Sequence, residues 1–188
     1  MKQLLISFSL IFLSLLSCGN TYAQQGVTDF TQPGTHMPPL VYMSYTDTSA
    51  IVVKKARKRK SPATGTYTLT NGSDMYKGKG CFVMIFSPEC SHCRETTTML
   101  QANTDLYTHK PLLLITTSKM KDFLPDFYAD MKMVKYPGIA VGIDSSEYVA
   151  NTFLYQPLPQ MNIYDSTGKL LKIYAGKIAA DSLRKYIK

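Results

Sequence analysis

The six residues Cys81-Phe82-Val83-Met84-Ile85-Phe86 form an unbroken apolar run, set between Gly80 and Ser87-Pro88, and just beyond them two cysteines stand two residues apart in Cys90-Ser91-His92-Cys93. An apolar run without alternation suits a strand buried on both faces of a parallel or mixed sheet. Helix signals follow it: Ser91 near the start, then Cys93, Thr97, Leu100 and Tyr107 at roughly helical spacing, with Pro111 closing the element. The cysteine pair is therefore expected where a buried strand hands over to a helix.

The rest of the chain alternates around that junction. Residues 112–117 read as a second buried strand. Ser118 can cap a helix running to residue 132, with a kink or break where Pro125 falls inside the pattern. Residues 139–143 form a third strand and 145–153 a short helix. Residues 161–164 and 170–174 flank Asp165-Ser166-Thr167-Gly168 as a hairpin, and 178–187 make a terminal helix with Leu183 and Ile187 one turn apart. The order βαβαβα, then ββα, specifies an α/β fold: a central mixed sheet flanked by helices, with an antiparallel hairpin at one edge. Ahead of it, residues 24–39 read as an extended arm, while 40–45, 50–53 and 66–70 read as strands of an N-terminal β extension.

The first residues stand apart from the fold. Met1-Lys2 is a basic start, and the apolar run at 4–16 matches a signal-peptide hydrophobic region and is short for a bilayer span. Two processing routes compete. Thr21-Tyr22-Ala23 places small residues for cleavage before Gln24, whereas Leu15-Leu16-Ser17-Cys18 resembles a lipobox, with Cys18 lipidated. The domain reading is a signal peptide at 1–23 (or a lipoprotein signal at 1–17), an arm and β extension at 24–77, and the core at 78–188. Export implies an oxidising compartment. After Cys18 only Cys81, Cys90 and Cys93 remain, which is no disulfide scaffold; a close pair among so few points to redox chemistry.

Lys and Arg number 21 against 13 Asp and Glu, a formal net charge of +8. Such a surface favours anionic partners: anionic lipid, phosphate-bearing polymers or an acidic protein. Much of the excess lies in Lys54-Lys55-Ala56-Arg57-Lys58-Arg59-Lys60, a run that reads as a solvated loop or hairpin tip. Nucleic acid is not expected as a partner, since an exported protein seldom meets it.

A helix N-terminus presents unpaired N–H groups and the positive end of the macrodipole, so a thiolate at Cys90 is stabilised there. With two residues between them, Cys90 and Cys93 can close a small disulfide. The first sulfur is exposed and attacks, the more buried second resolves the mixed disulfide, and the exchange needs no cofactor. His92, as imidazolium, would add positive charge near the Cys90 sulfur and favour its reduced form, which makes a stronger oxidant; its other reading is a surface histidine of little influence. Zinc wants a second ligand pair, and Cys81, His36 and His109 lack the spacing, so no metal is expected. Copper suits thiols, histidine and methionine, but the ten Met residues show no Met-x-x-Met cluster and read as core fillers. Cys81 reads as a small buried hydrophobe.

The stretch from Gly78-Lys79-Gly80 through the apolar run to Cys90-Ser91-His92-Cys93-Arg94-Glu95 closely resembles the active-site segment of the thioredoxin superfamily, most of all its exported TlpA-like branch. A second landmark is Pro159, six residues before Asp165 at a strand end, with Gly168 after it. The resemblance implies a thioredoxin-like fold and a cis Leu158–Pro159 bond facing the cysteines, its backbone offered to a substrate peptide. It also implies a thiol–disulfide oxidoreductase of the periplasm or cell envelope, lipid-anchored if Cys18 is processed, exchanging with thiol- or disulfide-bearing exported proteins and a membrane or envelope redox partner. Three departures stand out. Glu89 replaces the usual Trp, Ser91 replaces Pro or Gly, and Thr96 stands where many TlpA-like members carry an acid, so no proton relay is carried over to it or to Glu95. The direction of electron flow stays open. Two other functions compete: a thiol peroxidase, although His92 and Glu95 occupy the places of the peroxiredoxin Thr and Cys after Pro88, and a non-catalytic copper- or envelope-binding module.

Overall fold

The five residues of β3 (Cys81–Ile85) are all buried, as the unbroken apolar run requires, and the strand sits deep in a seven-stranded sheet. This computed structural model describes residues 29–47, 65–144, 146–153 and 157–187. The signal segment, Cys18, the strand expected at 50–53 and the basic run at 54–60 lie outside the described residues.

On one side of β3 lie two parallel strands, β4 (Leu112–Thr117) and then β5 (Ile139–Asp144); on the other lie the antiparallel β6 (Gln160–Tyr164) and β7 (Leu170–Ala175). The N-terminal extension supplies β1 (Val41–Asp47) and β2 (Gly65–Asn71), a pair that adds antiparallel to β5 and gives the order β2-β1-β5-β4-β3-β6-β7. Gly142 permits the junction of extension and core: a Cβ there would fall 2.4 Å from the Tyr42 ring.

Strand alternation divides β3 between two apolar layers. Phe82 and Met84 face a layer with Leu100, Leu106, Phe127 and Leu183, contributed by helices α1 (Ser91–Ala102), α2 (Asp105–Thr108), α3 (Leu124–Asp130) and α5 (Ala180–Arg184). Cys81, Val83 and Ile85 face the other layer, built with Leu40, Val149 of α4 (Tyr148–Thr152), Phe153 and Leu170. Among the described residues no helix is long and apolar enough to cross a membrane.

Helix lengths depart from the periodicity, each for a local reason. The first helix stops at Ala102 because Asn103 leaves the helical region and turns its side-chain amide back to the Met99 carbonyl, while Arg184 donates to the Asn103 oxygen. Residues 118–132 divide into a 3₁₀ segment (Ser118–Phe123) and α3, with Pro125 in the first turn of α3, where its missing N–H costs nothing. The helix expected at 145–153 begins only at Tyr148: the Asp144 carboxylate accepts from Ser146 and from the Val149 N–H, and Glu147 takes a left-handed conformation (φ 58°). The terminal helix shortens to Ala180–Arg184.

Candidate active site

The chain leaves β3 through Phe86, whose N–H still donates to Ile115 of the neighbouring strand, and then turns so that the Cys90 N–H donates to the Ser87 carbonyl. Cys90 is the N-cap of α1, with extended backbone (φ −78°, ψ 119°), and its sulfur accepts the Cys93 N–H at 3.3 Å. A sulfur thus stands where a hydroxyl or carboxylate caps most helices. That placement holds it against the unpaired N–H groups and the positive dipole end that favour a thiolate.

The two sulfurs differ in environment. Cys90 is half-buried, whereas Cys93 has no exposed surface. Burial is the main reason the Cys93 thiol is pushed up to about 12; a hydrogen bond to the Cys90 sulfur adds to this, and the Ser87 N–H opposes it. Both are free thiols in hydrogen-bond contact. Behind the helix start, Thr97 donates to the Cys93 carbonyl at 2.9 Å.

The third thiol, Cys81, lies at the far end of β3, fully buried, with its sulfur 4.0 Å from that of Met37; burial pushes it too up to about 12, partly offset by Lys110. Among the three described cysteines iodoacetamide at neutral pH is therefore expected to label Cys90 alone in the native protein, with Cys81 and Cys93 labelled only on unfolding. Peptide mass mapping reads this, and equal native labelling of Cys93 would refute the asymmetry. The pH dependence has a definite sign. A thiol ordinarily titrates near 9.0 and these two near 12 when folded, so above pH 9 the unfolded chain loses protons first and stability falls through that interval.

Arg94 is the residue the sequence reasoning left without a role. Its Nε donates to the Pro88 carbonyl at 2.8 Å, its Nη1 pairs with Asp130 at 3.2 Å, and its guanidinium lies 5.6 Å from the centre of the Phe127 ring. It ties the loop ahead of Cys90 to α3. The only sequence signal was its position directly after Cys93.

His92 is exposed, and its Nδ1 lies 3.3 Å from the Glu95 carboxylate, one helical turn away. Its side-chain contact is thus with Glu95 and not with a member of the cysteine pair. Beside it a cleft of about 200 Å³ is lined by His92, Glu95, Thr96, Met99, Lys177 and Ile178.

The Leu158–Pro159 peptide is cis. Gln160 pairs with Ile85 across the antiparallel β3–β6 ladder, so Pro159 falls at the end of β3 from which the cysteine loop departs. Pro159 is buried and its carbonyl accepts the Gly176 N–H at 2.9 Å. Leu158 is half-buried and packs against the apolar layer that contains Cys93. Among the described residues no three His, Cys, Asp or Glu side chains converge as metal ligands.

A central β3 flanked by parallel and antiparallel strands, a dithiol at its junction with a helix and a cis-proline at the same sheet end define a thioredoxin-like fold. No protein-family model and no curated protein matches the sequence. Solved structures match it. One is a Chlorobium tepidum protein assigned as thiol:disulfide interchange protein DsbE, with 15% identity and TM-score 0.59 over 83% of this chain and 95% of that one. Another is StoA from Bacillus subtilis, with 13% identity and TM-score 0.54 over 80% and 98% of the two chains. The thioredoxin domain of a thiol-disulfide oxidoreductase from Bacteroides vulgatus matches with 15% identity and TM-score 0.53, over 84% and 99%. At these identities the likeness is one of fold.

Proposed function

We propose that the chain is a TlpA-like thiol–disulfide oxidoreductase of the cell envelope, with Cys90 as nucleophile and Cys93 as resolving thiol. The observation that carries this is the asymmetry of the pair: a half-exposed sulfur capping a helix and a buried one, with a strongly raised pKa, hydrogen-bonded to it.

Starting from the dithiol, the Cys90 thiolate attacks one sulfur of a substrate disulfide, forming an S–S bond and expelling the other sulfur as a thiolate that takes up a proton. Cys93 then loses its proton and attacks Cys90 Sγ, closing the Cys90–Cys93 disulfide and releasing the second substrate thiol. Two electrons and two protons pass to the substrate; the reverse sequence oxidises a dithiol. The hydrogen bond between the thiols supports the first step by favouring negative charge on Cys90 while keeping Cys93 protonated until it is needed.

Leu158 supplies the backbone edge to an incoming peptide, since the Pro159 carbonyl is already taken by Gly176. As imidazolium, His92 would bias the pair toward the reduced form, with the Glu95 carboxylate at 3.3 Å offsetting part of that charge. The partners in this reading are exported proteins with accessible thiols or disulfides, together with an envelope redox partner.

Insulin reduction by dithiothreitol tests the proposal. The wild-type protein accelerates precipitation of the insulin B chain, and Cys90→Ser gives the rate of dithiothreitol alone. A wild-type rate equal to that background refutes it.

A further inference from the structure

We infer that a cleft at the sheet end opposite the cysteine pair binds a phosphate group carried on a small apolar body. This goes beyond the exchange chemistry and does not depend on it.

The location follows from the topology. Gly78 and Lys79 precede β3, Lys110 precedes the parallel β4, and Asp165 follows the antiparallel β6, so all lie at the end of the sheet away from Cys90. Together with residues of β7 and the C-terminal segment they enclose about 460 Å³, within the range of small-molecule sites.

Lys110 is the observation that asks for a ligand. It is only 7% exposed, yet among the described residues its ammonium has no hydrogen-bond acceptor and no ion pair; it lies 5.9 Å from the centre of the Phe82 ring. Desolvation lowers its pKa, against the pull of Cys81 and Asp165. Most of this side chain is withdrawn from water while its ammonium faces the cleft, and an anion there would offset the desolvation of its charge. Gly80 keeps the space beside it open: a Cβ there, at φ +72°, would fall 3.0 Å from Lys110 Nζ and 2.4 Å from the Tyr164 carbonyl oxygen.

The lining favours phosphate over other anions. Among the described lining residues Lys79, Lys110 and Lys185 face one carboxylate, Asp165, so these four side chains carry two net positive charges. One oxygen of Asp165 is already occupied, accepting from the Thr167 N–H and hydroxyl and from the Lys169 N–H. Two net charges match a phosphate dianion better than a single carboxylate, and several ammonium donors match its oxygens. Leu171, Tyr186 and Ile187 give the cleft an apolar wall for whatever carries the phosphate.

Amide NMR of the labelled protein tests this with two probes, inorganic phosphate and phenyl phosphate. Phenyl phosphate is expected to produce saturable shifts at Gly78, Lys79 and Ser166, with inorganic phosphate binding the same residues more weakly. Lys110→Met should weaken binding roughly tenfold, the loss of one charge-assisted contact. Lys119→Gln, just past the C-terminal end of β4 and so at the opposite end of the sheet, should leave it unchanged. If Lys110→Met does not fold, the double variant Lys79→Gln/Lys185→Gln, both exposed positions, must show the same loss. Sedimentation with phosphatidylcholine vesicles, with and without phosphatidic acid, separates the sources: capture only by phosphatidic acid and lost in the double variant identifies a lipid headgroup, and phenyl phosphate binding without capture identifies a soluble phosphate ester. Absence of saturable shifts in the cleft, or unchanged affinity in Lys110→Met and in the double variant, overturns the inference. Cys90→Ser should bind phenyl phosphate as the wild type does, so failure here and failure of the exchange reading are told apart.

Discussion

A Cys93→Ser variant is expected to accumulate as a covalent adduct with a disulfide-bearing peptide. Cys90 keeps its helix-cap position and its exposure, because the contact that holds it runs through the backbone N–H of residue 93 and survives the substitution. The first exchange step therefore proceeds. The second cannot, since among the described residues no other thiol is within reach: Cys81 is buried at the far end of β3. In the proposed exchange the resolving attack of the wild type is intramolecular between adjacent groups, which would accelerate it by orders of magnitude over attack from solution. The adduct should thus persist on non-reducing electrophoresis, dissolve with dithiothreitol, and be absent from Cys90→Ser. An adduct in Cys93→Ser no longer-lived than in the wild type would show that Cys93 is not the resolving thiol.

Phe127→Ala is expected to cost about 3–5 kcal/mol of folding stability, the usual range for deleting a fully buried aromatic ring. Phe127 is 0% exposed and packs against Phe86 with ring centres 4.8 Å apart, while Arg94 lies over its face. The substitution removes a wall of the main apolar layer and one of the two anchors of Arg94 on α3. Against a typical total of about 5–15 kcal/mol this is a large fraction. A urea titration should show a lower midpoint with little change in slope, and Phe127→Leu should recover most of the loss. A shift below about 1 kcal/mol would mean that the site collapses without a cavity.

The fold of the core was legible because its signals are local. The apolar runs at 81–86 and 112–117, short and bounded by Gly or Pro, suit strands buried on both faces, and the turn at Asp165–Gly168 announced the edge hairpin. The cysteine pair at a helix start was equally readable, since Ser87-Pro88 ends one element and Ser91 opens the next. Helix ends were less so. Asn103, Asp144 and Glu147 end or delay helices through side-chain contacts and a left-handed backbone that periodicity does not encode. Arg94 and Lys110 escaped notice for a tertiary reason. The acceptor of the first lies six residues back and its ionic partner 36 residues on, and the meaning of the second depends on burial at a sheet end.

The seclusion of Cys81 has a consequence for the chain as a redox couple. A third accessible thiol would let the dithiol scramble into alternative pairings or leave a half-oxidised species able to link two copies. With Cys81 sealed beneath Met37, the proposed Cys90–Cys93 couple is the one exposed to oxidants among the described cysteines, and it gives up two electrons at once. Titration of a Cys18→Ser variant against a glutathione buffer should follow a single Nernst curve with the slope of a two-electron couple, and no dimer band should form at any point along it.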